Sequence, residues 1–393
     1  MPTHAIPTTR QWLLSFAALL FPVLASAGDP ARLQTQLSSF VTDKNLPGMV
    51  VMIDQGQQTL FHAAIGHADR EKQIPMTPEQ RFRWFSMSKP VTALAMLKSL
   101  RDNGKALQST VQDLYPSFDL DTAIPVHNLL THTAGLGYGG EWSSVSGWLY
   151  ALLGPLERAG SLNEMMSKLD GIPLHDSPGT TWRYSMSSDV QGALIEQISG
   201  QRFERYMQER IFAPLEMNTT GFIYKGKADT SLAPIYRYDP DKKQSVVIGD
   251  PSEWDKSVAA GGSGMAGSAQ DFMRFLRVLR FPEQYPQFPQ EWVQAMTHNQ
   301  LPESIGAIPE AIYPNSGYGF GLGIKLQDEQ YLSQGSYYWA GLAGSFFFVD
   351  PEKELAVVVM IQELGARKAM EKHLIPMIYQ WLQEPVKALH KTT

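Results

Sequence analysis

Apolar positions recur at two different periods along this chain, and the change of period divides it. Over residues 30–41, Leu33, Leu37, Phe40 and Val41 recur at helical spacing and predict an amphipathic helix. Residues 48–54 and 59–65 form two strand-like runs split by Gln55-Gly56-Gln57-Gln58, the pattern of a β-hairpin. A third run, with Val91, Leu94, Ala95 and Leu97, predicts a helix that begins near Met87 and stops at Asn103-Gly104. Beyond it the chain turns helical and loop-rich. A short helix runs past His127 to a stop at Gly135, and others cover residues 157–169, 189–199, 203–211 and 269–279. Asp189 is the expected cap of the 189–199 helix and Gly200 its stop, while Ser268 and Asp271 form a capping-box-like pair before the 269–279 helix. Strand character returns over residues 320–326, 337–339, 345–349 and 355–361, with Asp350-Pro351-Glu352-Lys353 as a turn, and a helix over 366–382 closes the chain.

Strands at both ends and helices between them predict an α+β fold of the α/β sandwich type. One antiparallel sheet is built from both termini and flanked by helices, with a mainly helical domain inserted. The expected division is residues 28–85 plus 318–393 for the α/β domain and 86–317 for the insert.

Residues 1–27 stand apart. Arg10 precedes an apolar run from Trp12 to Leu24, and Ala25-Ser26-Ala27 offers small residues for cleavage, the pattern of a secretory signal peptide. A periplasmic or secreted protein is therefore expected. The segment holds one arginine and no acidic residue, so its removal takes the net charge from -6 to -7. That balance argues against a nucleic-acid partner. With no cysteine in the chain, disulfides and thiolate chemistry are excluded. No later apolar run has membrane-spanning length, so no span is expected after signal cleavage. Nothing in the sequence specifies an oligomeric state.

The candidate chemistry starts at Phe85-Ser86-Met87-Ser88-Lys89-Pro90. Ser86 and Lys89 lie one helical turn apart, so an amine and a hydroxyl share a face, and an amine so placed can take the proton that a serine nucleophile must lose. Pro90 fits only the first turn of a helix, which leaves Ser86 at the positive end. Other motifs are refused. Gly262-Ser263-Gly264-Met265-Ala266-Gly267 matches a dinucleotide fingerprint but lacks the strand and βαβ setting it needs, and Gly226-Lys227 is followed by Ala228 where a phosphate loop needs a hydroxyl. No histidine spacing supports a metal, and no Gly-x-Ser-x-Gly elbow occurs. No cofactor is expected.

Two further stretches complete the set: Tyr184-Ser185-Met186 before the 189–199 helix, and Trp339-Ala340-Gly341, where small residues allow close backbone approach. With Leu129-Leu130-Thr131-His132-Thr133-Ala134-Gly135-Leu136, the Gly261-Gly262 loop and Asp350-Pro351, these motifs fall in the order of a known family. From about Leu46 to Gln362 the chain resembles the serine β-lactamase-like family, in the branch of class C β-lactamases and family VIII carboxylesterases. The resemblance implies a β-lactamase/transpeptidase-like fold. It also implies Ser86 as the acylated residue, with Lys89 and Tyr184 sharing its deprotonation and later proton delivery, and the N–H groups of Ser86 and Leu342 as oxyanion hole. Met186, Trp339 and Gly341 would line the substrate. His132 is taken as a structural hydrogen-bonder, and residues 137–160 as an overhang of the cleft. Class C lactamases carry Asn where this chain has Met186 and Lys where it has Trp339. Losing an amide and a positive charge disfavours carboxylated lactams, so the expected substrate is a small neutral ester. The alternatives are a lactamase-like or D-amino-acid peptidase activity and, more remotely, a non-catalytic binding protein.

Overall fold

The computed structural model describes residues 28–139, 142–248 and 251–383, so the signal expected over residues 1–27 lies outside the described residues. The helices that organise the molecule are α1 (Pro30–Asp43), α2 (Ser88–Asp102), α3 (Ser187–Ser199), α4 (Ala269–Arg280) and α5 (Arg367–Gln383). Helix α1 opens on Asp29, whose carboxylate accepts the Ala31 N–H at 2.9 Å, and buries Leu33, Leu37, Phe40 and Val41 as their spacing requires.

Strands β1 (Gly48–Gln55) and β2 (Gln58–Asp69) form the expected hairpin. The C-terminal part adds β3 (Ser316–Tyr318), β4 (Gly323–Lys325), β5 (Tyr337–Ala340), β6 (Gly344–Asp350) and β7 (Leu355–Leu364). Their order is β2-β1-β7-β6-β5-β4-β3, antiparallel throughout, and Val50 of β1 faces Met360 of β7. Both chain ends thus share one sheet, as expected. Strands β6 and β7 are apolar on both faces because helices cover both. Phe347 meets Phe272 of α4 at 4.8 Å, and the next residue, Phe348, stacks on Tyr379 of α5 at 6.0 Å. Successive residues point to opposite faces, so α4 and α5 sit on opposite sides.

The domain division is redrawn by this packing. Helix α4 lies within residues 86–317 but belongs to the sheet layer, because buried Phe272, Phe275 and Leu276 need an apolar partner and the sheet provides it. Strand β3 starts at Ser316, and Tyr236–Asp239 pairs in parallel with the end of β7.

Local expectations shift too. The short helix is Val126–Leu130 and stops well before Gly135, since His132 takes a φ of 57°. The helix expected from 157 starts at Leu162, where Ser161 accepts the Glu164 N–H at 3.1 Å. A helix at Val145–Leu153 was not expected. Phe203–Met207 is α-helical and Gln208–Phe212 widens to a π turn. Ser268 caps α4 by accepting the Asp271 N–H at 3.2 Å, whereas the Asp271 carboxylate turns away to Thr219, Thr220 and Arg274. No helix among the described residues is long and apolar enough to cross a membrane.

Candidate active site

The chain approaches Ser86 through a small second sheet, in which Phe82–Arg83 pairs with Met265–Gly267. Arg83 grips Asp255 through two hydrogen bonds of 2.8 and 3.0 Å, with both side chains buried, and its carbonyl accepts Gln362 Nε2 at 3.1 Å. Trp84 is fully buried and donates its indole N–H to the Gly267 carbonyl at 3.1 Å. Phe85 then adopts a φ of 46°, a left-handed conformation uncommon for a bulky residue. The chain so redirected makes a short 3-10 turn, Phe85–Met87, that leads into α2. Ser86 is half-buried between the buried Phe85 and Met87.

Helix α2 is buried from Ser88 to Leu100, which makes it the central helix of the molecule. Lys89 in its first turn is only 1% exposed. Its Nζ stands 3.5 Å from Ser86 Oγ and donates to the Gly262 carbonyl at 2.8 Å. The first distance is the long end of hydrogen bonding, a common state for a catalytic contact without substrate. Lys89 Nζ also lies 4.6 Å from the Tyr184 ring centroid and 5.5 Å from that of Tyr138. The rings' negative faces stabilise a cationic amine.

Tyr184 is half-buried and fixed by an aromatic nest. His132, Trp339, Tyr138 and Trp182 have ring centroids 4.8, 5.7, 5.8 and 6.0 Å away. The Trp339 indole N–H points to the Tyr184 hydroxyl at 3.4 Å. His132 fills the structural place expected of it: its Nδ1 accepts the Ser185 N–H at 3.2 Å, which assigns the ring proton to Nε2. Its pKa falls well below the ordinary value, first through burial and then through the Lys89 charge, so the ring is neutral.

The turn between β5 and β6 closes against this cluster. A Cβ on Gly341 would sit 2.6 Å from the Trp84 carbonyl oxygen, so only glycine permits the approach. Ala343 packs with Phe85. Leu342 is 55% exposed, and its N–H has no hydrogen-bond acceptor among the described residues.

The predicted residues therefore come together, and the three expected to line the substrate are placed as follows. Met186 is 1% exposed: the apolar thioether turns into the core at the head of α3. Trp339 is 4% exposed and braces Tyr184. Gly341 faces Trp84. For three groups the sequence reading missed the role at the site. Tyr138 lay in the suspected overhang without being singled out. Gly262 was named in a refused motif and in the Gly261-Gly262 loop without a role, yet its carbonyl holds Lys89. Asp189 was expected to cap α3, which instead starts at Ser187, and its Oδ1 accepts the Gly262 N–H at 2.9 Å. A hollow of about 750 Å³ on the far face of the sheet, lined by Tyr338, Phe348 and Arg367, includes none of the Ser86 cluster.

A serine, a buried lysine and a tyrosine, set where an antiparallel sheet meets a helical layer, are the arrangement of a serine hydrolase. The chain belongs to the beta-lactamase family: the family's model, Beta-lactamase, matches residues 33–375. Among its relatives, Esterase EstB of Burkholderia gladioli is 28% identical over 368 residues, 86% of this chain and 91% of that protein. The solved structure of EstCE1, described as a hydrolase with promiscuous acyltransferase activity, matches with a TM-score of 0.77 at 25% identity, covering 90% of this chain and 98% of that one. A penicillin-binding protein homologue from Pyrococcus abyssi shares the fold, with a TM-score of 0.69 at 23% identity over 88% of this chain and 77% of that one.

Proposed function

We propose that this protein is an exported serine esterase that hydrolyses small neutral carboxylic esters through an acyl-Ser86 intermediate. The observation that carries the reading is the buried Lys89 amine, 3.5 Å from Ser86 Oγ and stacked over Tyr184. Ser86 Oγ attacks the ester carbonyl carbon while the Lys89–Tyr184 pair takes its proton. The carbonyl oxygen, now anionic, is met by the N–H groups of Ser86 and Leu342. The C–O bond to the alcohol breaks, and the same pair returns the proton to the departing oxygen. Water, deprotonated in turn, then cleaves the acyl-serine ester and releases the acid.

The surroundings favour esters over lactams. With Met186 buried at the head of α3 and Trp339 packed on Tyr184, neither position presents an amide or a positive charge to a carboxylated lactam. The similarity to Esterase EstB supports the same reading. Export rests on the signal pattern of residues 1–27. The test compares p-nitrophenyl butyrate, a D-amino-acid amide and a chromogenic cephalosporin. Fastest turnover of the ester, abolished in Ser86→Ala, is the expected result. A cephalosporin hydrolysed faster than the ester would move the protein to the lactamase reading. Failure of folded protein to react with a fluorophosphonate probe would make it a binding protein.

A further inference from the structure

Asp189 is a group beside the site that the acyl transfer above does not use. It is fully buried on α3, and its Oδ2 has no hydrogen-bond partner among the described residues. Burial pushes its carboxyl pKa up, and the nearby Lys89 charge draws it back. A buried carboxylate with a spare oxygen is costly, and its position shows what it does. Oδ1 accepts the Gly262 N–H at 2.9 Å, while Thr92 Oγ1 of α2 donates to the Gly261 carbonyl at 2.7 Å. The two ends of the 261–262 peptide are thus held by two helices. The next carbonyl along, that of Gly262, is the Lys89 acceptor.

The fit leaves no slack. A Cβ on Gly261 would lie 2.2 Å from the Ser188 carbonyl oxygen, and one on Gly262 would lie 2.8 Å from Asp189 Oδ2 and 3.0 Å from the Tyr138 hydroxyl. Met186, one turn before Asp189, offers Lys89 no polar atom. The short bond from Nζ therefore goes to Gly262, and the 3.5 Å approach to Ser86 depends on where that carbonyl is held.

We propose that Asp189 is a positioning residue: by clamping the 261–262 peptide it sets the Gly262 carbonyl, and through it aims the Lys89 amine at Ser86. The proposal rests on the esterase reading. It concerns the transition state and not substrate binding, since Asp189 is fully buried.

Two substitutions separate the clamp from a generic structural role. Asp189→Asn keeps an oxygen that can accept the Gly262 N–H, whereas Asp189→Leu has none. With p-nitrophenyl butyrate, kcat of Asp189→Leu should fall on the order of 10²-fold with KM within about threefold of the wild type, as for a misplacement of about 1 Å. Asp189→Asn should restore kcat to within about fivefold, the loss of charge being secondary to the retained hydrogen bond. Labelling of Ser86 by a fluorophosphonate should slow in the same order. Circular dichroism and melting confirm the fold of each variant. If Asp189→Leu does not fold, Thr92→Val frees the other end of the peptide and should lower kcat about tenfold at unchanged KM.

Unchanged kcat in folded Asp189→Leu, or in Thr92→Val where that variant replaces it, overturns the proposal. So does an Asn variant as impaired as the Leu variant, which would assign the effect to charge. Ester turnover that survives Ser86→Ala would defeat the esterase reading itself, an outcome distinct from any change confined to the Asp189 variants.

Discussion

Replacing Gly341 by alanine drives a methyl group into the Trp84 carbonyl. The new Cβ would stand 2.6 Å from that oxygen, where ordinary contact begins at 3.4 Å, so one side must retreat by about 0.8 Å. Neither side is free. The Trp84 carbonyl accepts the Met87 N–H at 3.0 Å and so closes the turn that carries Ser86. Gly341 donates to the Ser345 carbonyl at 2.7 Å and accepts the Gly344 N–H at 3.2 Å. The movement passes to Leu342, whose N–H is the proposed second oxyanion donor. Losing one such donor costs about 10²–10³ in kcat, and a misplacement of about 1 Å costs about 10², so Gly341→Ala should lose on the order of 10²-fold. That corresponds to about 2.7 kcal/mol of barrier. KM should change little, because the interaction strengthens only as the oxygen becomes anionic. The overpacked methyl should also lower stability by about 1–3 kcal/mol. The assay is steady-state hydrolysis of p-nitrophenyl butyrate, normalised by fluorophosphonate titration of active protein. A variant that melts like the wild type with kcat within about threefold of it would falsify the oxyanion assignment of this turn.

Two further expectations concern stability. Asp255→Asn leaves the Arg83 guanidinium buried without its counter-charge and should cost about 3–5 kcal/mol in a urea titration; a shift below about 1 kcal/mol would refute the latch. Burial by itself would raise the Asp350 pKa, but hydrogen bonds from Tyr379 at 2.7 Å and from Lys353 at 2.9 Å outweigh it and hold the carboxyl below its ordinary value. The stabilisation is therefore complete above the unfolded value, near 3.9, and is lost as pH falls from there through the lower folded value. The urea midpoint should drop less steeply on acidification in Asp350→Asn than in the wild type, and identical slopes would remove Asp350 as the cause.

The sheet was legible because its strands are long and apolar and its turns carry strong signals, as in the Gln55–Gln58 hairpin and the Asp350–Lys353 turn. Ser86, Lys89 and Tyr184 could be found because they lie in short local motifs. What escaped depends on contacts remote in sequence. Gly262 and Lys89 meet 173 positions apart, and no local pattern announces a carbonyl as a ligand. Asp189 has the composition of a helix cap, and burial against Gly262 overrode that propensity. Gly341 was recognised as a site for close approach, but its neighbour Trp84 was not, since it lies more than 250 positions away in the chain. The burial of Trp339 and Met186 was not legible either, because it is set by aromatic packing and by the core at the head of α3.

Strand β1 pairs with β7 across about 310 residues of intervening chain. Closing a loop of that length is slow, and little sheet can form before the last strand is available. A growing chain thus carries β1 with one edge unpaired until nearly all of it has been made. The turns bearing Ser86 and Leu342 lie towards opposite ends of that intervening chain, so the two proposed halves of the oxyanion hole meet only when the sheet closes. On the proposed mechanism acyl transfer is accordingly withheld from incompletely folded forms, and reactivity of Ser86 towards a fluorophosphonate should report completion of the whole fold.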